Sequence, residues 1–317
     1  MQRYILKRTL SMFVTLALIS VAIFVMVRLL PGNIIDVLFM GDTTATPAEK
    51  HDALVQLGMN GSWWSQYWHW IGRIFLHGDF GRSYRSQQPI SQILGHAVHI
   101  TGELIFLAII IAVAVGLPLG ALSAVRRDRV EDYAARSVGL VGISIPNFFL
   151  ATIFLIILSR IFHWIPPLSY VPFTQNPVQN LEQFIFPAIT ISVFTMAVTM
   201  RLLRATMLEV LGLDYVRTAR AKGVPRRVVI RKHALRNALI PVATVVAYEI
   251  GSLIGAAAVV ETIFNLPGLG YILLQSLSFR DYPIIQSTVL LIAVVFLVFN
   301  LLVDILYGVL DPRIVVE

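Results

Sequence analysis

Six long apolar runs constrain the fold of this chain more than any other feature of its sequence. A helix needs roughly 20 mostly apolar residues to cross the hydrocarbon core of a bilayer. The runs, of which only the fifth carries a charge, are Thr9–Val27, Leu104–Val125, Ser137–Ser159, the shorter Phe184–Met200, Asn237–Val260 and Pro283–Val303. Strands of membrane barrels give alternating stretches of about ten residues instead. The sequence therefore predicts an all-α integral membrane protein with six transmembrane helices.

The composition agrees with this class of protein. Of the 317 residues, 57% are hydrophobic and 14% are charged, whereas an ordinary soluble domain has about 25% charged residues. The first run follows Arg3, Lys7 and Arg8, as the core of a signal peptide would, but it is longer than the ~7–15 residues of such a core. We therefore expect it to be an uncleaved first span.

Loops rich in lysine and arginine alternate with poor ones, and this alternation predicts the orientation of the spans. Short loops rich in these residues face the cytoplasm. The N-terminal segment, 126–136 and 201–236 are basic, and the last of these holds ten lysines and arginines, whereas 161–183 has none. We therefore expect both termini to be cytoplasmic. A nucleic-acid partner is not favoured, because the excess of positive charge follows this alternation.

The predicted spans divide the chain into three regions. Residues 1–30 hold the N-terminal tail and the first helix, 31–98 form a long loop on the outer side, and 99–317 hold five helices with a basic loop at 208–241. The outer loop contains Trp63, Trp64, Trp68 and Trp70. Because Trp prefers the membrane–water interface, this stretch predicts a helix that lies on the outer leaflet. A docking or lid element is the alternative.

Within the basic loop, the segment Asp214–Pro241 has the spacing of a structured element. Asp214 fits the N-cap of a short helix over Tyr215–Lys222, since its carboxylate can accept from free backbone N–H groups. Gly223 fits the position after that helix, where glycine adopts the left-handed conformation at little cost. The sequence predicts a short helix that ends in a glycine turn.

A second helix is predicted after this turn. Pro225 fits its first turn, where a missing N–H is harmless, and Val228, Leu235 and Leu239 fall on one side of it. Binding of anionic lipid would account for the charge of the loop, but it does not account for the glycine and proline spacing. We interpret the loop as a docking site for another protein.

Glu249 is the one ionisable residue inside a predicted span. Such a group is costly in a membrane and usually faces a cavity or a partner. We interpret it as a candidate residue of a translocation pathway. A hydrogen-bonded glutamate at a helix contact is the alternative, because Gly251-x-x-x-Gly255 follows it. Gly116-x-x-x-Gly120 in the second run is interpreted as a helix-packing motif.

The sequence offers no motif for binding ATP or a metal. It has four lysines, none of which follows a glycine, so it lacks the Gly-x-x-x-x-Gly-Lys pattern that cradles phosphates. It has no cysteine, and His69, His77, His96 and His99 are not spaced as a chelate. We therefore expect no catalytic residue, no metal site and no cofactor in this chain.

Several motifs together resemble one family. Arg217-Thr218-Ala219, Gly223 and Ile240-Pro241 resemble the Glu-Ala-Ala, glycine and Ile-x-Leu-Pro pattern in the coupling loop of ABC-importer permeases. Arg217 replaces the glutamate of that pattern, and the spacer before Ile240 is longer. Other stretches resemble the dipeptide, oligopeptide and nickel branch, in particular its B-type subunit. They are Leu29-Leu30-Pro31-Gly32, Gly78-Asp79-Phe80-Gly81-Arg82-Ser83, Val260-Glu261-Thr262-Ile263-Phe264, Pro267-Gly268-Leu269-Gly270, Arg280-Asp281-Tyr282-Pro283 and Leu310-Asp311-Pro312-Arg313.

This resemblance implies a type I ABC-importer permease fold and a multi-pass location in the inner membrane of a bacterium. It implies a helix that couples the chain to an ATPase, formed by Asp214, Tyr215, Val216, Arg217, Thr218, Ala219, Arg220, Ala221, Lys222 and Gly223. The implied partners are a second homologous permease, two ATPase subunits that bind ATP and Mg²⁺, a periplasmic or lipid-anchored substrate-binding protein, and membrane lipid.

The solute stays open at this point, because peptides, nickel, glutathione and sugars all use relatives of this branch. Peptides or similar small solutes are the preferred hypothesis. Two alternatives come from other classes of protein: a secondary transporter or channel that works alone, and a membrane anchor that recruits a cytoplasmic protein.

Overall fold

A computed structural model describes residues 2–29, 46, 48, 55, 61–167 and 169–310, with side chains defined within these ranges except at 2–5 and 306–310. The motif segments Leu30-Pro31-Gly32 and Asp311-Pro312-Arg313, and most of 31–60, lie outside the described residues. The described chain is almost entirely helical. Its helices are α1 (Gln2–Leu29), α2 (Trp63–His77), α3 (Ile90–Val125), α4 (Val130–Ser144), α5 (Asn147–Ile161), α6 (Pro177–Gly212), α7 (Asp214–Ala221), α8 (Arg226–Ile263), α9 (Leu269–Phe279) and α10 (Tyr282–Leu310).

Five helices in the described part of the chain are long and apolar enough to cross a membrane: α1, α3, α6, α8 and α10. The predicted third span, Ser137–Ser159, is not one straight helix. It is divided into α4 and α5, which meet at a bend of 104°, and only if this pair counts as one span does the total reach six. The break lies at Ile145 and Pro146, both in extended conformation, because proline disfavours the helical region for the residue before it.

The described residues form two compact units. One, here called the N-terminal unit, comprises Gln2–Ile100 and Pro267–Val298. The other, here called the basic-loop unit, comprises Thr101–Leu266 and the described residues from Phe299 onward.

In the N-terminal unit, the tryptophan-rich stretch forms the predicted helix, α2. Ser62 caps its start by accepting from the backbone N–H of Ser65, and Gly78 ends it with a φ of +63°. One face buries Ile71 in a cluster with α1 residues such as Ile23. Trp63, Trp64 and Trp68 of the same helix remain more than half exposed. An amphipathic helix of this kind suits a membrane interface, and the choice between an interfacial and a docking role stays a prediction.

Two motifs that are far apart in sequence meet at Asp281 in this unit. The Asp281 carboxylate is buried, and it accepts a hydrogen bond from the Ser83 hydroxyl at 2.6 Å. It also accepts from the backbone N–H groups of Tyr84 and Arg85 at 3.2 and 3.3 Å. These bonds fix the 78–90 loop against the turn between α9 and α10.

In the basic-loop unit, α6 is the helix with the largest buried share among the membrane-length helices described. A Cβ on Gly116 would lie 2.9 Å from the Met196 carbonyl oxygen, and one on Gly120 would lie 2.7 Å from the Met200 carbonyl oxygen. From α4, a Cβ on Gly142 would lie 3.2 Å from Ala197 Cβ. Small residues on two helices therefore bring their backbones against α6, as small-residue motifs do in membranes. The predicted packing role of Gly116 and Gly120 is confirmed.

We predict that Gly120→Ala destabilises the protein, because the added methyl meets a backbone carbonyl that no side-chain rotation can move. Overpacking of this kind costs about 1–3 kcal/mol. Thermal unfolding in detergent should show a lower midpoint for this variant. The matched control is Gly102→Ala on the same helix, where a Cβ meets nothing within 4 Å. An equal loss of stability in both variants would contradict the packing role.

Candidate functional site

The short helix predicted in the basic loop is present as α7. It spans Asp214–Ala221 and ends in a Schellman motif, in which the N–H of Gly223 donates to Arg220 O and the N–H of Val224 donates to Ala219 O. Gly223 has a φ of +75°, as predicted for the residue after the helix. The N-cap prediction for Asp214 is wrong, because Leu213 holds that position and Asp214 is the first helical residue.

Most of the ten candidate docking residues are exposed. Val216 is the exception, with none of its surface exposed, and Ala219 is half-buried. Arg217 donates to Asp214 at 3.4 Å, but their side chains are 72% and 95% exposed, respectively. Such an exposed pair contributes little to stability. The guanidinium of Arg217 therefore stays accessible on the exposed face of α7, the face that does not carry the buried Val216.

Tyr215 fastens α7 to the start of α8. Its hydroxyl donates to the carbonyl oxygen of His233 at 3.2 Å and accepts from the Asn237 side-chain amide at 2.8 Å. Asn237 also donates to the same carbonyl at 2.9 Å. With Val216 buried on the same helix, these bonds make α7 a fixed element that presents an exposed face.

The second helix of the loop is continuous with a membrane-length helix, since α8 runs from Arg226 to Ile263. Pro225 is the N-cap of α8, whereas the sequence predicts it within the first turn, so the helix begins one residue later. The segment Val229–Leu235 is π-helical. Leu235 and Leu239 pack on the cluster around Leu203, but Val228 is 40% exposed. The prediction that Val228 shares their face is wrong, because the wider π turn changes the direction of the side chains before it.

A cleft of about 440 Å³ opens beside α7, between the ends of α3 and α6 and the start of α8. Its apolar lining includes Val125, Leu211 and Ile230, and Arg220 and Arg226 also line it. Arg226 donates to the Val125 carbonyl oxygen at 3.4 Å. The loop therefore offers a partner both an exposed basic helix and an apolar recess.

A buried ion pair that the sequence alone does not predict supports this end of the unit. Arg204 of α6 binds the fully buried Asp132 of α4 with two bonds, Nε to Oδ1 at 2.7 Å and Nη2 to Oδ2 at 2.8 Å. Ser123 of α3 donates to Asp132 at 2.5 Å, and the N–H of Asp128 donates at 3.0 Å. Three helices are therefore joined at one carboxylate. The sequence shows one sign of this ion pair, because Asp132 is an acid within the basic segment 126–136, shortly before an apolar run.

Two glutamates of α8 differ in their surroundings. Glu249 is half-buried, and its carboxylate accepts from the Ser252 hydroxyl of the same helix at 2.9 Å. Glu261 is fully buried and accepts from the Thr101 hydroxyl at 2.5 Å. Glu261 belongs to the motif Val260-Glu261-Thr262-Ile263-Phe264, and the sequence alone predicts no individual role for it. Gly255, which follows Glu249 on this helix, has open space where a Cβ would be.

Within the ranges that the structure describes, no group of three or more His, Cys, Asp or Glu side chains is arranged to hold a metal ion.

Known protein families and individual relatives align with this chain over nearly its whole length. The family described as "Binding-protein-dependent transport system inner membrane component" matches residues 116–316, and its N-terminal counterpart, "Binding-prot-dependent transport system membrane comp, N-term", matches residues 1–114. The dipeptide transport system permease protein DppB of Escherichia coli (strain K12) is 38% identical over 339 residues and 99% of both chains. The glutathione transport system permease protein GsiC of Salmonella choleraesuis is 37% identical over 316 residues and 99% of both.

One solved structure shares the fold. It is a crystal structure of an amino acid ABC transporter with histidines, and it aligns with a TM-score of 0.52 and 18% identity, covering 68% of this chain and 94% of that chain.

We predict that Arg204→Met destabilises the basic-loop unit strongly, because it leaves the buried Asp132 carboxylate without its cation. Breaking a buried pair in this way costs about 3–5 kcal/mol. The thermal unfolding midpoint in detergent should fall clearly. The double variant Asp132→Asn with Arg204→Met should recover part of the loss, since no charge is then stranded. A double variant no more stable than the single one would contradict this account.

Proposed function

We propose that the chain transports peptides. It belongs to the family of binding-protein-dependent transport system inner membrane components, which makes it a membrane permease subunit of an ABC importer. The relatives that resemble it over 99% of its length are named for dipeptide and glutathione transport. Both of those solutes contain amide-linked amino acids. Family membership also favours a subunit of a larger assembly over a transporter that works alone.

We infer that α7 receives the movement of an ATPase subunit. The observation that carries this inference is the combination of exposure and fixation in one short helix. Arg217 and most of its neighbours on α7 are exposed, whereas Val216 is buried and Tyr215 is bonded to the start of α8. A helix that merely covered the membrane surface would not need this anchoring. A helix that transmits force needs both a free face and a rigid base.

The route from α7 into the membrane follows the contacts at its base. α7 packs against α6 and against the π-helical turn of α8. α6 and α8 also pack against each other, and the Thr206 hydroxyl of α6 lies 3.3 Å from the Ala238 carbonyl oxygen of α8. Arg204 then joins α6 to α4 through Asp132. A displacement of α7 would therefore be passed on to three helices together, namely α6, α8 and α4.

The energy source in this proposal lies in other chains. The sequence has no phosphate-binding loop, so two partner ATPase subunits would bind ATP and Mg²⁺, and one of them would contact the exposed face of α7. A second homologous permease would complete the pathway, and an external binding protein would deliver the solute. The basic loop would face the cytoplasm with both termini, in agreement with the positive-inside rule.

Glu249 is the residue we propose for contact with the solute. It is an acid in the middle part of a membrane-length helix, it is not fully buried, and its hydrogen bond to Ser252 lies within its own helix. A carboxylate with this accessibility suits the amino group of a peptide. The open space at Gly255 lies about 1.7 turns further along the same helix.

We predict that Arg217→Glu lowers ATP-driven uptake into vesicles by about tenfold or more, because it reverses a charge at the proposed contact, and tenfold corresponds to about 1.4 kcal/mol of binding. Co-purification with the ATPase subunits should weaken in parallel. The matched control is Arg231→Glu, which makes the same change of charge on another exposed residue of the basic loop. Equal losses in both variants would indicate a general need for positive charge rather than docking at α7.

We predict that Glu249→Gln lowers uptake of a dipeptide with a free amino group while ATPase binding is retained, because the amide cannot pair with an ammonium group. Uptake of an N-acetylated dipeptide should change less. Glu182→Gln, at an exposed position near the start of α6, is the control and should leave both solutes unaffected. Unchanged transport and solute preference in Glu249→Gln would refute the role.

A further inference from the structure

The N-terminal unit contains a cavity of about 370 Å³ whose lining includes several arginines. It lies between the end of α1, the middle of α2, the 79–87 loop and the start of α10. The lining residues that matter to its chemistry are Arg28, Trp70, Arg73, Arg82, Tyr84 and Gln286. None of them belongs to the basic loop or to the proposed solute contact.

Two of the residues that line the cavity carry a buried donor that lacks an acceptor. The side-chain amide nitrogen of Gln286 and the indole nitrogen of Trp70 are both buried, and neither has a hydrogen-bond partner among the described residues. Gln286 is only 5% exposed. An unsatisfied buried donor costs about 1–3 kcal/mol, so both groups favour a ligand that accepts hydrogen bonds. Burial, followed by the nearby Asp281 carboxylate, raises the pKa of Tyr84 to about 12, so its hydroxyl also stays protonated.

The charge of the lining is positive. Arg28, Arg73 and Arg82 all line the cavity, and among the described residues that line it Asp79 is the only acid. Asp79 is already occupied, because it forms an ion pair with Arg73 and accepts from the Gly81 N–H at 2.8 Å. Arg28 donates to a neutral acceptor, the Gln66 side-chain oxygen, at 2.6 Å. Two of the three guanidinium charges are therefore not neutralised by a lining acid.

We propose that this cavity binds the phosphate of an anionic phospholipid headgroup, such as that of phosphatidylglycerol. Arg28 lies in the last turn of the membrane-length helix α1, where a long basic side chain meets the headgroups. Beside it, Met26 and Leu29 are each 67% exposed and can contact acyl chains. The exposed tryptophans of α2 add an interfacial surface next to the same cavity. These neighbours point to a lipid rather than to a free anion in water.

The test uses the full chain, purified with the subunits that accompany it and delipidated in a neutral detergent. Thermal stabilisation is titrated with phosphatidylglycerol, with zwitterionic phosphatidylcholine and with inorganic phosphate. Stabilisation by phosphatidylglycerol alone is expected, since the cavity favours net negative charge and the apolar flank favours acyl chains. Equal stabilisation by inorganic phosphate would assign the cavity to a free anion and overturn the proposal. So would displacement of the lipid by a dipeptide.

Two variants and one control locate the lipid. Gln286→Glu places a carboxylate in the cavity and should weaken phosphatidylglycerol binding at least tenfold. Arg82→Gln removes one cation at an exposed position and should weaken binding several-fold without affecting the fold. Arg85→Gln is the control, because Arg85 lies on the same loop but does not line the cavity and stacks on Phe279 at 3.6 Å instead. Loss of binding in Arg85→Gln to the same degree as in Arg82→Gln, or no loss in Arg82→Gln, would overturn the proposal.

Discussion

The close approach of α3 and α4 to α6 is the constraint on which the rest of the basic-loop unit depends. Gly116 and Gly120 bring α3 to the backbone of α6, and Gly142 brings α4 against Ala197 of the same helix. At this distance the three helices also share the buried carboxylate of Asp132, which Arg204 neutralises. Apolar surface alone gives little attraction between helices in lipid. Backbone proximity and one shared ion pair therefore take over the role that a hydrophobic core has in water.

The sequence predicts the fold well where the determinants are local or compositional. Long uncharged runs identify the helices of membrane length, and Gly223 places the end of α7 within one residue, since a glycine in the left-handed conformation stops a helix wherever it lies. Pro146, by contrast, lies inside an apolar run, so composition alone conceals the bend between α4 and α5. The family resemblance, carried by motifs along the whole chain, is confirmed by the relatives that match it.

The candidate site could be predicted only in part, because its fixed base depends on residues far apart in sequence. The position of α7 and the glycine turn that ends it follow from local spacing. The bond from Tyr215 to His233 and the pairing of Asp132 with Arg204 require the tertiary structure. The sequence treats Arg204 as one more positive charge of a basic loop, since positive charge near a span has the same appearance whether it faces solvent or a buried acid. The docking role itself stays a prediction that rests on exposure and anchoring.

The π-helical turn at Val229–Leu235 separates the short basic end of α8 from its membrane part. The side chains on the two sides of the turn are therefore out of helical register with each other. A π turn closes its hydrogen bonds over one more residue than an α turn, and one residue corresponds to a rotation of about 100°. Conversion of this turn to α-helix would therefore rotate the basic end of α8 against its membrane part without unwinding either. Tyr215 is bonded to His233 inside the turn and to Asn237 just beyond it. α7, the helix we propose for docking, is therefore bonded both within the π-helical turn and just after it, so a push on α7 could rotate the basic end of α8 against its membrane part.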